Sequence, residues 1–191
     1  MRLKPLPPEN LNSELRFVHD EISNLITKSQ GQASMINSEG ALLGPFPAML
    51  HFPQFGIPAL SFIRTLDTFA TLDKKVREVA ILTVGSTFGA RFELYVYEIM
   101  AEAFGFSKNI VASLSAGIRP EGLSEQESIA YDIAYTLTHG KIVSNSGYNH
   151  AVHVLGKEAV GELFFLIGSY SFIAMILNGF DVSAPEVHNM K

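Results

Sequence analysis

Between residues 77 and 98 the chain reads REVAILTVGSTFGARFELYVYE: one carboxylate, Glu78, heads an apolar run, and a second, Glu93, stands among aromatic residues. At 100° per residue, a helix beginning at Ala90 puts Glu93, Tyr97, Met100 and Phe104 on one narrow stripe, with Arg91, Tyr95, Glu98 and Glu102 opposite. Glu93 then sits in the middle of an apolar face. An ionised carboxylate is costly there without partners, and burial pushes an acid's pKa towards neutrality, which suits it to proton transfer. The competing account has Glu93 pair with an arginine or accept hydrogen bonds across a helix interface, where it holds register. For Glu78 the spacing favours a plain i,i+4 ion pair with Lys74 near a helix N-terminus, worth a few tenths of a kcal/mol.

Tyr97 follows Glu93 by one turn. An unperturbed phenol is only about 0.1% ionised at pH 7, so Tyr97 is a poor base and a usable donor. As a core residue, its hydroxyl would be satisfied by Glu93 instead. His150 and His153 share a face at i,i+3 without a visible third ligand, so a solvated face is the simpler reading and no metal is expected. GSTFG lacks what a phosphate loop or a nucleophile elbow requires.

The elements that must position these groups are helical. Leu15, Val18, Ile22, Leu25 and Ile26 fall at helical spacing over 13–27, a surface helix leaning on something larger. A Gly- and Pro-punctuated stretch follows and turns apolar at Phe46, Met49, Leu50 and Phe52, which reads as an ordered loop. Pro58 opens a helix to about Ala70, and Asp73 caps the next. Gly85 and Gly89 bracket a break before a helix over 90–104. Ser107 caps a short helix, SEQE at 124–127 has capping-box spacing, and two helices follow, 147–155 and 157–178. No long stretch alternates with period two, so the expectation is an all-α single-domain bundle of seven or eight helices.

The 191 residues suit one domain with a sizeable core. The side chains are 47% hydrophobic against 17% charged, and mean hydropathy is +0.20, so some apolar surface is expected in a subunit interface. A net charge of −5 and the lack of any Lys/Arg cluster argue against nucleic acid. Zero cysteines exclude thiolate nucleophiles, thiolate metal sites and disulfides. The apolar segment 163–177 falls short of a spanning helix and carries Ser169, Tyr170 and Ser171, so it reads as a core or interface helix and no membrane partner is expected. The N-terminus shows no apolar signal-peptide core, and a cytoplasmic location is the expectation.

An Arg-Glu pair heading an apolar helix, a glycine-rich break, then Glu93, Leu94, Tyr97, Ala101 and Gly105 resemble the carboxymuconolactone decarboxylase family, which includes the alkyl hydroperoxide reductase D branch. GFSKNIVASLSAG and the Gly-Glu-Leu stretch at 161–163 with its following helix extend the resemblance over about residues 40–180. It implies a helical domain at 41–191 behind an N-terminal extension at 1–40, and a homo-oligomer, trimer or hexamer. Ala90 and Glu93 stand where the thiol branch has its two cysteines, and Tyr97 stands where the family has histidine, so peroxidase activity is not inherited. The activity implied is a cofactor-free lyase-type acid/base reaction on a small carboxylated or lactone-like molecule. Glu93 is then the acid/base, Tyr97 a hydrogen-bond donor and Glu78 a relay, with Arg77, Arg91 and His51 as candidate substrate anchors. The alternative is a catalytically silent oligomer that binds a hydrophobic ligand or partner.

Overall fold

Fifteen residues from Lys74 to Phe88 form the helix round which the rest is built, and nine of them are buried, from Val76 to Gly85. A helix apolar on nearly every side can only be stable when others surround it. This helix, α4, packs against α5 (Arg91–Ala103), α6 (Lys108–Ser115), α7 (Glu125–Thr138) and α9 (Lys157–Gly179), with α8 (Asn145–Leu155) behind α7 and α9. Before it come α1 (Ser13–Lys28), α2 (Phe46–His51) and α3 (Pro53–Thr68). The computed structural model describes residues 1–28 and 33–185. The fold is all-α, and an isolated bridge between Ile36 and Leu42 is its sole strand-like pairing among the described residues. The start of the expected loop, 29–32, and the end of the expected domain, 186–191, lie outside those residues.

Helix ends follow local chemistry. Asp73 caps α4 by accepting from the Lys75 N–H at 2.8 Å, Ser107 and Ser144 cap α6 and α8, and Ser124 and Glu127 form the reciprocal capping box of α7. Gly89, at φ 61°, ends α4 in the left-handed region and turns the chain into α5.

Four expectations need correction. Gly85 does not break the chain: α4 runs through it to Phe88. A Cβ there would lie 3.2 Å from Leu94 Cδ2 and 3.4 Å from Glu93 Oε1, so the glycine serves the approach of α5. The ordered loop contains a helix, α2, whose Met49 backbone lies where a Cβ on Gly56 would be, with the carbonyl oxygen 2.2 Å away. That contact sets the corner between α2 and α3, and α3 starts at Pro53, which leaves Pro58 inside the helix. The apolar segment near the C-terminus belongs to a 23-residue helix, long and apolar enough to cross a membrane by length and composition, and half of its most apolar 18-residue window is buried in this fold, as in a core helix.

Two apolar clusters result. The main one surrounds α4, and a smaller one ties α1 to α2 through Ile22, Leu42 and Leu50.

Candidate functional site

Glu78 on α4 and Glu93 on α5 are both buried, at 2% and 3% exposure. Both oxygens of Glu93 and Oε1 of Glu78 have no hydrogen-bond partner. A carboxylate stripped of water and given no cation favours its protonated form. Burial therefore lifts Glu93 well above the usual carboxylate range and raises Glu78 to about 8, against which nearby Arg77 acts only as a smaller, opposing influence. At neutral pH both groups enter any reaction as acids.

The two simpler accounts fail for the same reason, that neither carboxylate has an ion-pair partner among the described residues. Among the described residues no arginine pairs with Glu93, and no ion pair joins Glu78 to Lys74. Lys74 turns the other way, with Nζ 5.7 Å above the Phe104 ring. It is freed to do so because Glu78 lies on the face of α4 that the bundle encloses.

Tyr97, one turn after Glu93, does not give its hydroxyl to that acid either. It shares a hydrogen bond with the hydroxyl of Tyr170 on α9, and the rings meet edge-on at 85° with centroids 5.3 Å apart. Burial is the main cause that drives the Tyr97 phenol well above its ordinary value, and both acids lie close enough to add to the rise. Tyr170 is raised by burial as well, and Glu93 contributes. Two acids and two phenols therefore form one buried, uncharged, proton-rich cluster at the junction of α4, α5 and α9. Tyr170 is the member that sequence spacing missed, because 73 residues separate it from its partner.

The three candidate anchors all have protein partners. Arg77 Nη1 donates to Glu162 Oε1 at 2.6 Å and to the Leu66 carbonyl, while Nη2 donates to Asp67 at 2.6 Å. Glu162 also accepts from the Thr71 N–H and hydroxyl and the Leu72 N–H, so the arginine belongs to a clamp joining α3, α4 and α9. Arg91 donates to Asp181 at 2.8 Å on the surface. His51 Nε2 donates to the Lys4 carbonyl at 3.0 Å. His150 stands 3.6 Å from Glu125, and among the described residues no three His, Asp or Glu groups gather to hold a metal.

Two apolar grooves lie along α3 and α9. The larger, about 280 Å³, is framed by Met49, Phe52, Phe55, Phe172, Ile176 and Phe180, and the smaller by Phe62, Phe69, Phe165 and Glu162. Neither is lined by Glu78 or Glu93.

No protein-family model matches the chain, and no curated protein matches it in sequence. Its fold is similar to that of the debrominase Bmp8. A Cys-to-Ala variant of that enzyme in complex with 2,3,4-tribromopyrrole aligns with a TM-score of 0.73 at 14% identity, over 97% of this chain and 92% of that one. The apo form aligns at 0.65 and 14% identity, over 76% of this chain and 78% of that one.

Proposed function

We propose that the protein is a cofactor-free enzyme of the carboxymuconolactone decarboxylase-like kind, a lyase-type acid/base catalyst acting on a small organic molecule. One observation carries this reading: Glu78 and Glu93 are buried beside Tyr97 with oxygens that nothing in the fold satisfies. Unpaired buried acids cost stability, and functional sites are where such costs are retained. Loss of carbon dioxide from a substrate breaks a C–C bond and leaves the electron pair on carbon, as a carbanion or enolate. The Glu93 carboxyl gives that carbon a proton, the Tyr97 hydroxyl donates to the oxygen on which charge develops, and Glu78 relays the replacement proton.

The donor set also narrows the substrate. Arg77, Arg91 and His51 are all engaged, so a bound carboxylate finds neutral O–H donors rather than a free cation at the acids. Lactone and keto-acid carbonyls suit such donors better than doubly charged acids do. The fold shared with a debrominase makes brominated pyrroles a sensible further class to try.

The test is a turnover screen of lactones, keto acids, aromatic acids and 2,3,4-tribromopyrrole. Glu93→Gln should abolish any turnover while the protein stays folded. Turnover that survives the substitution removes Glu93 from the reaction.

A second reading has its own observation. The 280 Å³ groove between α2, α3 and α9 is apolar throughout and separate from the acids, which fits a silent protein that binds a hydrophobic ligand or partner. Ligands that raise the melting temperature without being converted, and whose effect disappears in Ala59→Trp at the groove wall, favour this reading.

A further inference from the structure

The hydroxyl of Tyr170 reaches Tyr97 from α9, an element to which sequence spacing assigned no chemistry. A phenylalanine would make the same edge-on contact with Tyr97, so packing alone does not account for a second buried hydroxyl. Two phenols carry two hydroxyl protons, and the bond between them uses one. The other proton remains to be donated. Both phenol groups are buried, and Tyr97 is the member that stands one turn from Glu93 on α5, nearer the acid than Tyr170 is in sequence and on the same helix.

We propose that Tyr170 is a positioning residue that acts through Tyr97: its O–H donates to the Tyr97 oxygen and turns the Tyr97 proton outward, towards an acceptor oxygen of the substrate. A lactone or keto carbonyl is the class of group that can take it. The inner bond strengthens the outer one, because a hydroxyl that accepts a hydrogen bond becomes a better donor, the more so away from water. As charge builds on the substrate oxygen, the pair responds as a unit. Glu93 accepts no hydrogen bond at either oxygen, so it does not capture the outward proton.

This inference rests on the acid/base reading above, and its test separates the two. The protein contains six tyrosines, so ζ-¹³C-tyrosine labelling gives a spectrum in which Tyr97 and Tyr170 are assigned by substitution to phenylalanine. In Tyr170→Phe, which keeps the ring, the Tyr97 resonance and its titration should shift; in Tyr97→Phe the Tyr170 resonance should shift in turn. If either signal stays where it was when its partner hydroxyl is removed, the proposal is overturned, whatever the activity. With a substrate from the screen, Tyr170→Phe should lower kcat about ten- to a hundredfold and leave KM within about twofold, the mark of a contact made in the transition state. An unchanged kcat overturns the proposal while leaving Glu93 and Tyr97 as working groups. Turnover that persists in Glu93→Gln sinks the acid/base reading instead, and the coupling of the two phenols is then decided by the resonances.

Discussion

Gly85 of α4 and Glu93 of α5 face each other across the turn at Gly89, so closely that a Cβ on residue 85 would lie 3.4 Å from Glu93 Oε1. The tighter neighbour is Leu94, whose Cδ2 would stand 3.2 Å from that Cβ, so the glycine lets α5 approach with the Glu93 carboxyl at ordinary contact distance. Gly85→Val should therefore drive into Leu94 and Glu93 and cost about 1–3 kcal/mol in denaturant unfolding, despite a better helix propensity than glycine's. Stability equal to wild type would show that Glu93 is not held against α4.

The pH dependence follows from Glu78, whose pKa is lifted by burial from 4.5 to about 8. Between those values the folded chain binds a proton that the unfolded chain has lost. Stability then falls as pH rises, by roughly 5 kcal/mol at most for a shift of that size. Below about pH 4 the contribution is complete, and above about pH 8 it is gone. Glu78→Gln keeps the shape and the neutral state, so its melting temperature should overtake that of wild type as pH rises from 5 to 8. A wild type that becomes more stable across this window would mean that the acids have found cations.

The Glu93 arm is distinct because Glu93 has neither oxygen satisfied. Glu93→Gln should melt within a few degrees of wild type at pH 7, since a buried neutral acid is exchanged for a neutral amide. A fall of tens of degrees, as when a buried ion pair loses one member, would restore the structural account.

Local chemistry was legible, and long-range chemistry was not. Asp73, Ser107 and Ser124 announce helix starts because a cap bonds within three residues of itself. The depth of Glu93 could be read from helical spacing alone. Gly85 misled because glycine marks a chain break and a close helix approach with the same letter, and only the neighbour across the gap tells them apart. Arg77 looked available because Asp67 and Glu162, which hold it, lie 10 and 85 residues away. Lys74 and Glu78 have the spacing of an ion pair but point to opposite environments, since a helix enclosed on most sides leaves a lysine only its rim.

Gly56 and Gly161 form a matched pair of probes, both inside helices. A Cβ at 56 would strike the Met49 backbone, which cannot move aside as a side-chain tip can, whereas a Cβ at 161 meets nothing within 4 Å. Gly56→Ala should cost about 2 kcal/mol or more through the α2–α3 corner. Gly161→Ala should gain about 0.5–1 kcal/mol from helix propensity. Equal effects in chemical denaturation would contradict the contact between α2 and α3.

The last expectation concerns the face formed by α3 and α9. Of the sixteen residues of α3 only Gly56 is buried, although phenylalanines stand at 55 and 62 within the helix and at its C-cap, 69, every seventh position. Phe165 and Phe172 repeat that spacing on α9, and Phe62 meets Phe165 edge-on with centroids 6.2 Å apart. These five side chains are 71%, 42%, 73%, 63% and 44% exposed. At roughly 200 Å² per ring, they leave about 600 Å² of aromatic surface in water. That approaches the roughly 800 Å² per partner of a standard interface and is at the upper end of what a lone protein shows. The net charge of −5 opposes self-association only over the charged parts of the surface, which this stripe is not. The protein should therefore elute as a homo-oligomer, a trimer or hexamer by the family resemblance, when light scattering is coupled to gel filtration. Phe69→Asp with Phe165→Asp should shift it towards the 20.9 kDa monomer, because an exposed pair of carboxylates costs nothing in water and much inside an apolar contact. A wild type that is monomeric at micromolar concentration would show that this face meets something other than a second copy, and a double variant that keeps the wild-type mass would move the interface elsewhere on the surface.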